Sequence, residues 1–415
     1  MIVAIAVHGT RGDVEPAAAV AVELKKRGHE IRMAVPPNLI PFAESAGLTS
    51  VTPYGPDSQQ QLEAEVFREW LKPRNPLTVL RQGREYITDG WSEMGETLLT
   101  VADGADLILT GTTYQEVAAN VAEFYSKPLA ALHYFPARAN SQSLPVQLPL
   151  ALARPTFAAS EWAHWRLLKP ADDAQRERLG LPRSRVRATR RIIANGTLEI
   201  QAYDKVLFPK LDEEWRGSRP IVGSISLQLP TTADDEVVEW IAKGTPPIYF
   251  GFGSMPVENP AATVEMITDV CAQLGERALI CSGVLALDDR PSSERVKVVQ
   301  SANHSRVFPL CRAIVHHAGA GTTAASMRSG VPTLALWVSA DQIVWAGRIK
   351  KIGVGTSRRF SSTSRASLLK DLRTVLSPQC AIRAKDVAAH MSRPAESLEA
   401  TADLLERAAV RPHAQ

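Results

Sequence analysis

The strongest chemical signal in this sequence is the stretch AIVHHAGAGTT at residues 313–323. A short apolar run ends in two histidines, and a turn of small residues then leads into a predicted helix. The N-terminus of a helix presents unpaired N–H groups and a partial positive charge, and Gly319 and Gly321 let a phosphate approach the backbone. His317 and Thr322 can add side-chain donors. The pattern therefore favours an anion site, with a purely structural turn and N-cap as the alternative.

The same stretch also matches the spacing of a dinucleotide fingerprint. Gly319, Gly321 and Ala324 read G-x-G-x-x-A, and Asp341 follows about twenty residues later. That fingerprint normally lies in the first βα turn of its domain, whereas at least three predicted strands of this domain come earlier. A nicotinamide or flavin enzyme is therefore the less favoured interpretation.

Two further turns supply polar groups for the same ligand. Asp341 and Gln342 follow the next predicted strand, and a carboxylate beside an amide can bind adjacent sugar hydroxyls, although Asp341 has an alternative role as a helix N-cap. In YFGFGSM at residues 249–255, Gly253 and Ser254 follow an earlier strand and are expected to meet the same phosphates. Glycine-rich turns also occur for packing reasons alone. Together these turns favour a ligand that carries both phosphate and sugar.

Near the N-terminus, HGTRGD at residues 8–13 forms the turn after the first predicted strand. Asp13 is a candidate general base, and Pro16 lies just inside the helix that follows. The structural alternatives are Asp13 as a simple helix N-cap and His8 as a histidine with satisfied hydrogen bonds at a strand end. This turn predicts a second group of chemically active side chains.

Alternating strands and helices must position these turns. Apolar runs such as 2–7 and 313–317 alternate with helical stretches, which predicts parallel sheets wrapped by helices and facing a central cleft. Glycine-, serine- and proline-rich sequence interrupts the alternation, as expected of a connection between domains. The predicted parts are a first domain over residues 1–214, a connection over 215–235, a second domain over 236–390 and a last helix over 391–415 that returns to the first domain.

Length and composition exclude several classes of protein. The 415 residues exceed the usual size of one domain, and 45% hydrophobic with 22% charged residues describes a globular chain. A net charge of +3 provides no general field for a nucleic acid. The four cysteines form no close-spaced pair or Cys/His set, so neither a disulfide framework nor a zinc site is predicted, and a cytoplasmic location fits best. We find no apolar stretch long enough to span a membrane.

Taken together, the turns resemble one protein family. The motifs are GTRGDVEP at 9–16, YFGFGSMP at 249–256, NHSRVFP at 303–309, HHAGAGTT at 316–323 and DQ at 341–342. They are similar to those of family 1 glycosyltransferases, in the bacterial and fungal branch that includes glycopeptide-antibiotic, sterol and mycobacterial glycopeptidolipid glycosyltransferases. The resemblance spans nearly the whole chain. It implies an α/β protein of the GT-B fold, with two Rossmann-like domains.

The resemblance also implies a reaction. A sugar would pass with inversion from a UDP- or dTDP-sugar to a hydroxyl, without a metal, a further cofactor or a covalent intermediate. Asp13 would be the base that accepts the proton of that hydroxyl. The positions that match the family's donor site are Arg11, Gly12, Ser254, His317, Gly319, Gly321 and Thr322 for the diphosphate, Asp341 and Gln342 for the sugar, and Gly253, Ser301 and Ala302 for the nucleoside.

Three positions depart from the family pattern. The usual double glycine after the histidines is Ala318-Gly319, which we expect to be tolerated with a negative φ at Ala318. Ser301-Ala302-Asn303 stands where plant relatives stack the base on a tryptophan, so uridine and thymidine are both candidates. Ser339-Ala340 replaces the common glycine before the acidic-amide pair, which bears on the sugar preferred.

Acceptor selection in this fold is implied to lie in the loops of the first domain. Residues 54–100 and 133–170 read as long, irregular and rich in apolar side chains. They favour a hydrophobic acceptor such as a glycopeptidolipid, a lipid or a natural-product aglycone. The candidate groove residues, for which a core role is the alternative, are Trp162, Trp165, Leu167 and Leu168.

Seven arginines between Arg176 and Arg191 form a basic cluster. The cluster is a candidate contact for anionic headgroups at the inner face of a membrane, and a solvated protein surface is the alternative. The predicted function is thus a glycosyltransferase on a hydrophobic acceptor, with a deoxyhexose as one candidate donor sugar. The alternatives are a nucleotide-sugar epimerase, which needs no second substrate, and a non-catalytic nucleotide-sugar-binding protein.

Overall fold

A computed structural model of the chain describes residues 1–63, 84–85, 88–144, 149–227, 234–253, 255, 257, 259–283, 293–338 and 341–410. The chain divides into two compact units. Unit 1 contains Met1–Ala202, Lys210–Leu227 and Arg393–Gln415, and unit 2 contains Tyr203–Pro209 and Gln228–Ser392. Each unit is a parallel α/β sheet with helices around it, as the alternation in the sequence predicts.

The unit boundaries differ from the predicted domain boundaries for a physical reason. The predicted connection begins within unit 1, where the backbone N–H of Val222 donates to the carbonyl of Gln201 at 3.0 Å and so extends the sheet edge. Tyr203 and Phe208 belong to unit 2 because their rings contact Trp345, with centroids 6.2 and 5.4 Å away. Backbone pairing and aromatic packing, rather than composition, place these segments.

Unit 1 is built on one six-stranded sheet. Its strands are β1 (Ile2–Ala6), β2 (Glu30–Val35), β3 (Val51–Pro53), β4 (Leu107–Thr110), β5 (Leu129–His133) and β6 (Leu198–Gln201). All neighbours are parallel, in the order β3-β2-β1-β4-β5-β6. Ile5 pairs with Met33 on one side and with Leu109 on the other. The strands are continuous apolar runs because helices cover both faces of such a sheet.

The helices of unit 1 follow their strands. Besides the last helix of the chain, the described ones are α1 (Arg11–Lys26), α2 (Ile40–Ser45), α3 (Ser58–Glu63), α4 (Trp91–Ala102), α5 (Gln115–Tyr125), α6 (Leu150–Arg178), α7 (Ala188–Ala194) and α8 (Leu211–Glu214). Helix α1 begins at Arg11, so Asp13 lies inside its first turn. This position determines the structural role of Asp13.

Helix α6 corrects the expectation of an irregular segment over 133–170, because residues 150–170 of that range are helical. It runs for 29 residues with Pro155 and Pro170 inside it. A buried polar network holds its C-terminal half, because Asp172 Oδ1 accepts hydrogen bonds from Asn120 Nδ2 at 2.8 Å and from Arg191 Nη2 at 3.1 Å. No helix in the described ranges, α6 included, has the length and hydropathy needed to cross a bilayer.

The arginine cluster at 176–191 is largely neutralised within unit 1. Arg176 is 3% exposed and its guanidinium contacts both carboxylate oxygens of Glu123, and Arg191 pairs with Asp172. Arg178, Arg183 and Arg187 form further ion pairs with Glu96, Glu177 and Glu161. Five of the seven arginines are thus paired, which is not the free basic surface that headgroup binding by the whole cluster requires.

Unit 2 repeats the architecture with a second six-stranded sheet. Its strands are β7 (Ile248–Gly251), β8 (Ala278–Cys281), β9 (Val296–Val299), β10 (Ala313–His316), β11 (Thr333–Trp337) and β12 (Gly355–Arg359). The parallel order is β12-β11-β10-β7-β8-β9. Its helices are α9 (Asp234–Ala242), α10 (Pro260–Leu274), α11 (His304–Val307), α12 (Ala320–Ser329), α13 (Gln342–Ile352), α14 (Arg365–Val375) and α15 (Pro378–Ala388).

The last helix, α16 (Pro394–Val410), belongs to unit 1. Thr401, Ala402 and Leu405 form its buried face. Arg27 Nη1, at the end of α1, lies 2.7 Å from Asp403 Oδ1. Packing of an apolar face and ion pairs at its rim therefore hold α16 against the first helix.

Candidate active site

In each sheet the strand order reverses beside the first strand, between β1 and β4 in unit 1 and between β7 and β10 in unit 2. Ligands of open parallel α/β sheets bind at such reversals, beyond the carboxyl ends of the strands. Asp13 follows β1, Gly253 follows β7 and His317 follows β10. The predicted site residues therefore lie at the positions where this topology binds ligands.

The turn after β10 opens a helix N-terminus toward solvent. Gly319 is the N-cap of α12, and the first helical hydrogen bond runs from Thr323 N to Gly319 O at 2.8 Å. The preceding amide groups have no partner within the helix. Gly321 is exposed and Thr322 is half-buried, so this end of the helix is open to an anion.

His317 is held between two glycines. A Cβ atom on Gly319 would lie 2.5 Å from the imidazole Nε2, and one on Gly253 would lie 2.6 Å from Cε1. Gly253 also has a φ of +61°, which side chains rarely adopt. These two glycines are therefore needed for the imidazole to occupy this position, independently of any contact with phosphate.

Burial lowers the pKa of His317 to about 4, so the imidazole is neutral at pH 7. Its Nδ1 atom is buried, and a backbone contact with Gly251 opposes the lowering of the pKa without cancelling it. A neutral imidazole can still donate one hydrogen bond. His317 can thus contact a phosphate as a neutral donor rather than as a cation.

The neighbouring His316 organises the turn from inside. It is fully buried, and its Nδ1 accepts a hydrogen bond from the backbone N–H of Ala318 at 2.9 Å. The proton of the neutral ring must therefore be on Nε2. Burial, together with the neighbouring His317, lowers the pKa of His316 well below its usual value. His316 shapes the backbone, whereas His317 faces the glycine-lined turn.

The expected negative φ at Ala318 is wrong. Ala318 has a φ of +65° and is completely buried. An alanine in this left-handed region costs about 1 kcal/mol relative to glycine. The hydrogen bond to His316 and the burial of Ala318 maintain this backbone conformation. The family's usual glycine would adopt it without strain.

Ala318→Gly should therefore stabilise the protein by up to about 1 kcal/mol, because glycine adopts this φ without strain. Urea unfolding followed by circular dichroism measures the change in free energy of unfolding. The matched control is Ala320→Gly in the first turn of α12, which should leave stability unchanged or lower it. Equal destabilisation by the two glycines would show that no strain is stored at Ala318.

The acidic-amide pair lies at the start of α13. Asp341 occupies the N-cap position, but its side chain makes no capping hydrogen bond. The N-cap alternative is therefore correct for the position of Asp341 but not for its side-chain contacts. Gln342 is 7% exposed; its Oε1 accepts from the Val338 backbone N–H at 2.8 Å and its Nε2 lies 3.2 Å from Met255 Sδ. Asp341 therefore places a carboxylate at the start of the helix, whereas the side-chain amide of Gln342 is buried and contacts other residues of the protein.

The predicted nucleoside positions are split between two turns. Gly253 follows β7, and Ser301 and Ala302 lie between β9 and α11, where Ser301 is exposed and Ala302 half-buried. Ser254 lies outside the described residues. Sequence reasoning missed His304, whose ring stacks on Phe308 with centroids 4.3 Å apart, beside the predicted positions. The sequence feature that could have identified His304 is its position directly after Ser301-Ala302-Asn303.

In unit 1, Asp13 completes the N-terminal cap of α1. Thr10 is the N-cap, and Asp13 Oδ2 accepts hydrogen bonds from the Thr10 backbone N–H at 2.8 Å and from Thr10 Oγ1 at 3.2 Å. The structural alternative, in which Asp13 itself is the N-cap, is therefore wrong; Asp13 is the third residue of the helix. Because Thr10 engages only Oδ2, the other carboxylate oxygen is not used in this cap.

Burial raises the pKa of Asp13 to about 6, and the hydrogen bonds from Thr10 oppose this shift without cancelling it. A carboxylate with a pKa near the working pH is a better proton acceptor than an ordinary aspartate and is still mostly ionised at pH 7. Its raised pKa and its place in the turn after β1 are properties that suit a general base.

The side chains of His8 and Tyr134 lie near this turn, and both are buried. His8 Nε2 lies 3.0 Å from the Pro56 carbonyl oxygen, and burial lowers the pKa of His8, which fits the satisfied histidine of the structural alternative. Tyr134, after β5, has a buried hydroxyl without a partner among the described residues, and burial and the Asp13 charge raise its pKa. Sequence reasoning missed Tyr134, since no motif marks it.

Arg11 and Gly12 are exposed in the first turn of α1. Arg11 Nε lies 3.3 Å from Glu15 Oε2, and its guanidinium is 4.6 Å from the centroid of the Phe42 ring. These contacts hold the side chain along the outside of the helix N-terminus. The implied role of both residues at the diphosphate stays a prediction.

Known proteins are similar in sequence to both halves of this chain. A family profile described as "Erythromycin biosynthesis protein CIII-like, C-terminal domain" matches residues 286–405, and one described as "Glycosyltransferase family 28 N-terminal domain" matches residues 3–92. An uncharacterized glycosyltransferase of Mycobacterium tuberculosis is 53% identical over 408 residues, which cover 98% of this chain and 99% of the relative.

Two more distant proteins, a relative and a solved structure, are also glycosyltransferases. A sterol 3-beta-glucosyltransferase of Arabidopsis thaliana is 28% identical over 401 residues, which cover 91% of this chain and 63% of that protein. The crystal structure of the glycosyltransferase VinC in complex with dTDP superposes with a TM-score of 0.66 at 19% identity, covering 99% of this chain and 100% of VinC. The predicted GT-B fold is confirmed, and the chain belongs to the family 1 glycosyltransferases, enzymes that transfer sugars.

Proposed function

We propose that this enzyme transfers a sugar, with inversion, from a UDP- or dTDP-sugar to a hydroxyl of a hydrophobic acceptor. The observation that carries the proposal is a half-buried histidine, His317, which is neutral at pH 7 and lies beside the open N-terminus of α12 at a strand-order reversal. Such a site suits a diphosphate leaving group. The dTDP bound to VinC supports a nucleoside diphosphate as that group.

Asp13 is the proposed base. It removes the proton of the acceptor hydroxyl while that oxygen forms a bond to the anomeric carbon. The bond from this carbon to the β-phosphate oxygen breaks, and its electron pair leaves with the nucleoside diphosphate. The pKa of about 6, raised by burial, makes Asp13 a stronger proton acceptor than a solvated carboxylate. The acceptor attacks from the face opposite the leaving group, which inverts the configuration.

The proposed donor site stabilises the charge that grows on the diphosphate. The amide groups of Gly321 and Thr322 and the imidazole of His317 donate hydrogen bonds to it, so the proposed step needs no divalent cation. Gly319 and Gly253 provide the close approach. The remaining donor-site residues keep the roles that the family resemblance implies, with Ser254, Arg11 and Gly12 at the diphosphate, Asp341 and Gln342 at the sugar, and Ser301 and Ala302 at the nucleoside.

The proposed hydrophobic acceptor is supported by aromatic side chains near the turn that carries the base. The ring of His8, in that turn, contacts the half-buried ring of Tyr114, with centroids 5.2 Å apart. Aromatic side chains favour flat apolar ligands over highly charged ones. A lipid, glycopeptidolipid or aglycone hydroxyl, with a deoxyhexose as a candidate donor sugar, fits this environment. The similarity to a sterol 3-beta-glucosyltransferase agrees with an apolar acceptor.

A thermal-shift screen tests the donor class. UDP or dTDP should raise the unfolding temperature, because a ligand present at 100 times its Kd stabilises the folded protein by about 2.7 kcal/mol. ADP and NAD⁺ at the same concentration are the matched ligand controls. A shift with NAD⁺ alone would contradict the proposal and support the dinucleotide interpretation.

Donor consumption then separates the transferase from its alternatives. With cholesterol as a probe acceptor, or with water as the default acceptor, a transferase releases the nucleoside diphosphate that the screen identifies. An epimerase converts the donor sugar without releasing it, and a non-catalytic binding protein consumes nothing. Mass spectrometry of the nucleotide pool distinguishes the three outcomes.

A further inference from the structure

Helix α6 is apolar on two sides. Toward the unit 1 core, Ala153 and Leu168 are buried. On the opposite side lie four exposed apolar residues, which we term the outer stripe: Leu152, Pro155, Ala159 and Trp162. Their spacing of three, four and three residues places them along one face of the helix. A soluble helix that covers one core normally has a polar outer face, so the outer stripe requires an explanation.

The large side chains of the outer stripe are well exposed. Leu152 is 57% exposed and Trp162 is 55% exposed, and no charged residue interrupts the stripe. Isolated exposed apolar residues are ordinary, but a row of them on one helix face marks an interaction surface. A tryptophan that is half out of the protein is typical of residues that sit at the boundary between water and lipid headgroups.

Two free arginines flank the outer stripe. Arg166 lies one helical turn after Trp162, and Arg185 lies in the segment before α7. That segment runs beside α6, because Arg187 Nη1 donates to the Ala158 carbonyl oxygen at 2.7 Å. Both Arg166 and Arg185 are exposed, and neither has an ion-pair partner in the part of the chain that the structure describes. We term these two residues the basic flank.

The charges around the outer stripe identify an anionic partner. The nearby acidic residues are already neutralised, because Glu161 pairs with Arg187 and Glu177 pairs with Arg183. A second copy of this chain therefore brings no unpaired carboxylate from this face to the basic flank. Anionic phospholipid headgroups supply that charge, and the adjacent acyl region accepts the leucine and the tryptophan.

We propose that the outer stripe and the basic flank dock unit 1 on the surface of an anionic phospholipid bilayer, with the first half of α6 lying in the interface. This inference does not depend on the transfer reaction, since it rests on the exposed face of α6 alone. It also differs from headgroup binding by the whole arginine cluster, five of whose members are paired within unit 1. Of that cluster only Arg185 belongs to the docking face.

Co-sedimentation of the full chain with vesicles tests the proposal. The chain should pellet with equimolar phosphatidylglycerol and phosphatidylcholine and remain largely unbound with phosphatidylcholine alone. Leu152→Ser with Trp162→Ser should lower the bound fraction at least tenfold. Arg166→Glu with Arg185→Glu should weaken binding by at least about 30-fold, since each arginine near an anionic surface contributes about fivefold and the introduced glutamates are repelled by the headgroups. Added salt should weaken binding of the wild-type chain, because it screens the headgroup charge.

Matched controls use exposed residues of unit 2. Ile382→Ser removes an apolar side chain that is 71% exposed, and Arg373→Glu reverses the charge of an exposed arginine on α14. Both controls should bind vesicles like the wild type. Because all altered residues are exposed, circular dichroism and thermal unfolding should be unchanged, so a loss of binding cannot be ascribed to misfolding.

Three outcomes would overturn the proposal. The wild-type chain stays in solution with anionic vesicles, or the double variants bind as tightly as the wild type. In the third, vesicle binding is absent and sedimentation velocity shows that the outer-stripe variant converts a dimer into a monomer, which assigns the face to a second copy of the chain. Failure of the donor screen, by contrast, leaves this inference untouched.

Discussion

Asp13→Asn should lower the turnover number by about 10²–10⁴-fold while leaving nucleoside diphosphate affinity unchanged. Asparagine is nearly isosteric, and its side-chain oxygen can still accept the hydrogen bond from the Thr10 backbone N–H, so the cap of α1 survives. What disappears is the oxygen that takes the proton of the acceptor hydroxyl. Steady-state kinetics with the donor identified by the thermal-shift screen, together with calorimetric titration of UDP or dTDP, measures the two quantities.

The pH dependence of the reaction rate provides an independent test of the role of Asp13. Because burial raises the pKa of Asp13 to about 6, activity of the wild type should fall as the pH drops below 6 and the carboxylate becomes protonated. Asp103→Asn, at an exposed acidic residue of unit 1, is the matched control and should keep both the rate and the pH profile. A reduction of less than tenfold in Asp13→Asn would reject Asp13 as the base.

Stability should change in the opposite direction to activity. The folded-state pKa of Asp13 is raised, so protonated Asp13 contributes stability below pH 4, and this contribution is lost as the pH rises through about 6. Neutral asparagine does not lose it. Above pH 6, Asp13→Asn should therefore unfold with a free energy up to about 3 kcal/mol higher than the wild type, less whatever the partial exposure of the carboxylate screens.

His317→Ala should lower kcat/KM for the donor by about 10²–10³-fold, the usual cost of removing one donor from a site that stabilises developing negative charge. The stabilisation by UDP or dTDP in the thermal-shift assay should decrease as well. Gly253 and Gly319 leave room for this imidazole because neither has a Cβ atom. Removal of the imidazole therefore leaves an empty space and an unoccupied hydrogen-bonding position at the α12 N-terminus. Donor-dependent kinetics and thermal shifts are the two measurements.

The matched control for His317 is His390→Ala, which removes an exposed histidine near the end of α15 and should change neither quantity. Addition of a chelator should also leave the wild-type rate unchanged if the helix terminus and imidazole stabilise the leaving group by themselves. The role assigned to His317 fails if His317→Ala retains the wild-type donor affinity and kcat/KM. A chelator-sensitive rate would instead reject the metal-free step and leave the histidine contact standing.

The sequence by itself determined the architecture and the position of the candidate site. Apolar runs of strand length, interrupted by glycine-containing turns and amphipathic stretches, have few ways to bury their surface other than parallel sheets covered by helices. The carboxyl ends of such strands carry the ligand turns, so His317 and Asp13 could be singled out from their neighbours in the chain alone. Local patterns were sufficient because both features depend on residues that are close in sequence.

Only the tertiary structure decided how these residues are held. The positive φ of Ala318 depends on the acceptor that His316 provides from inside the sheet, and the buried hydroxyl of Tyr134 near Asp13 depends on the pairing of β4 with β5. The irregular-looking segment around Trp162 became a helix because a polar network from other elements fixes its second half. Hydrogen bonds, burial and pKa shifts of this kind arise between residues far apart in the chain, which no local pattern records.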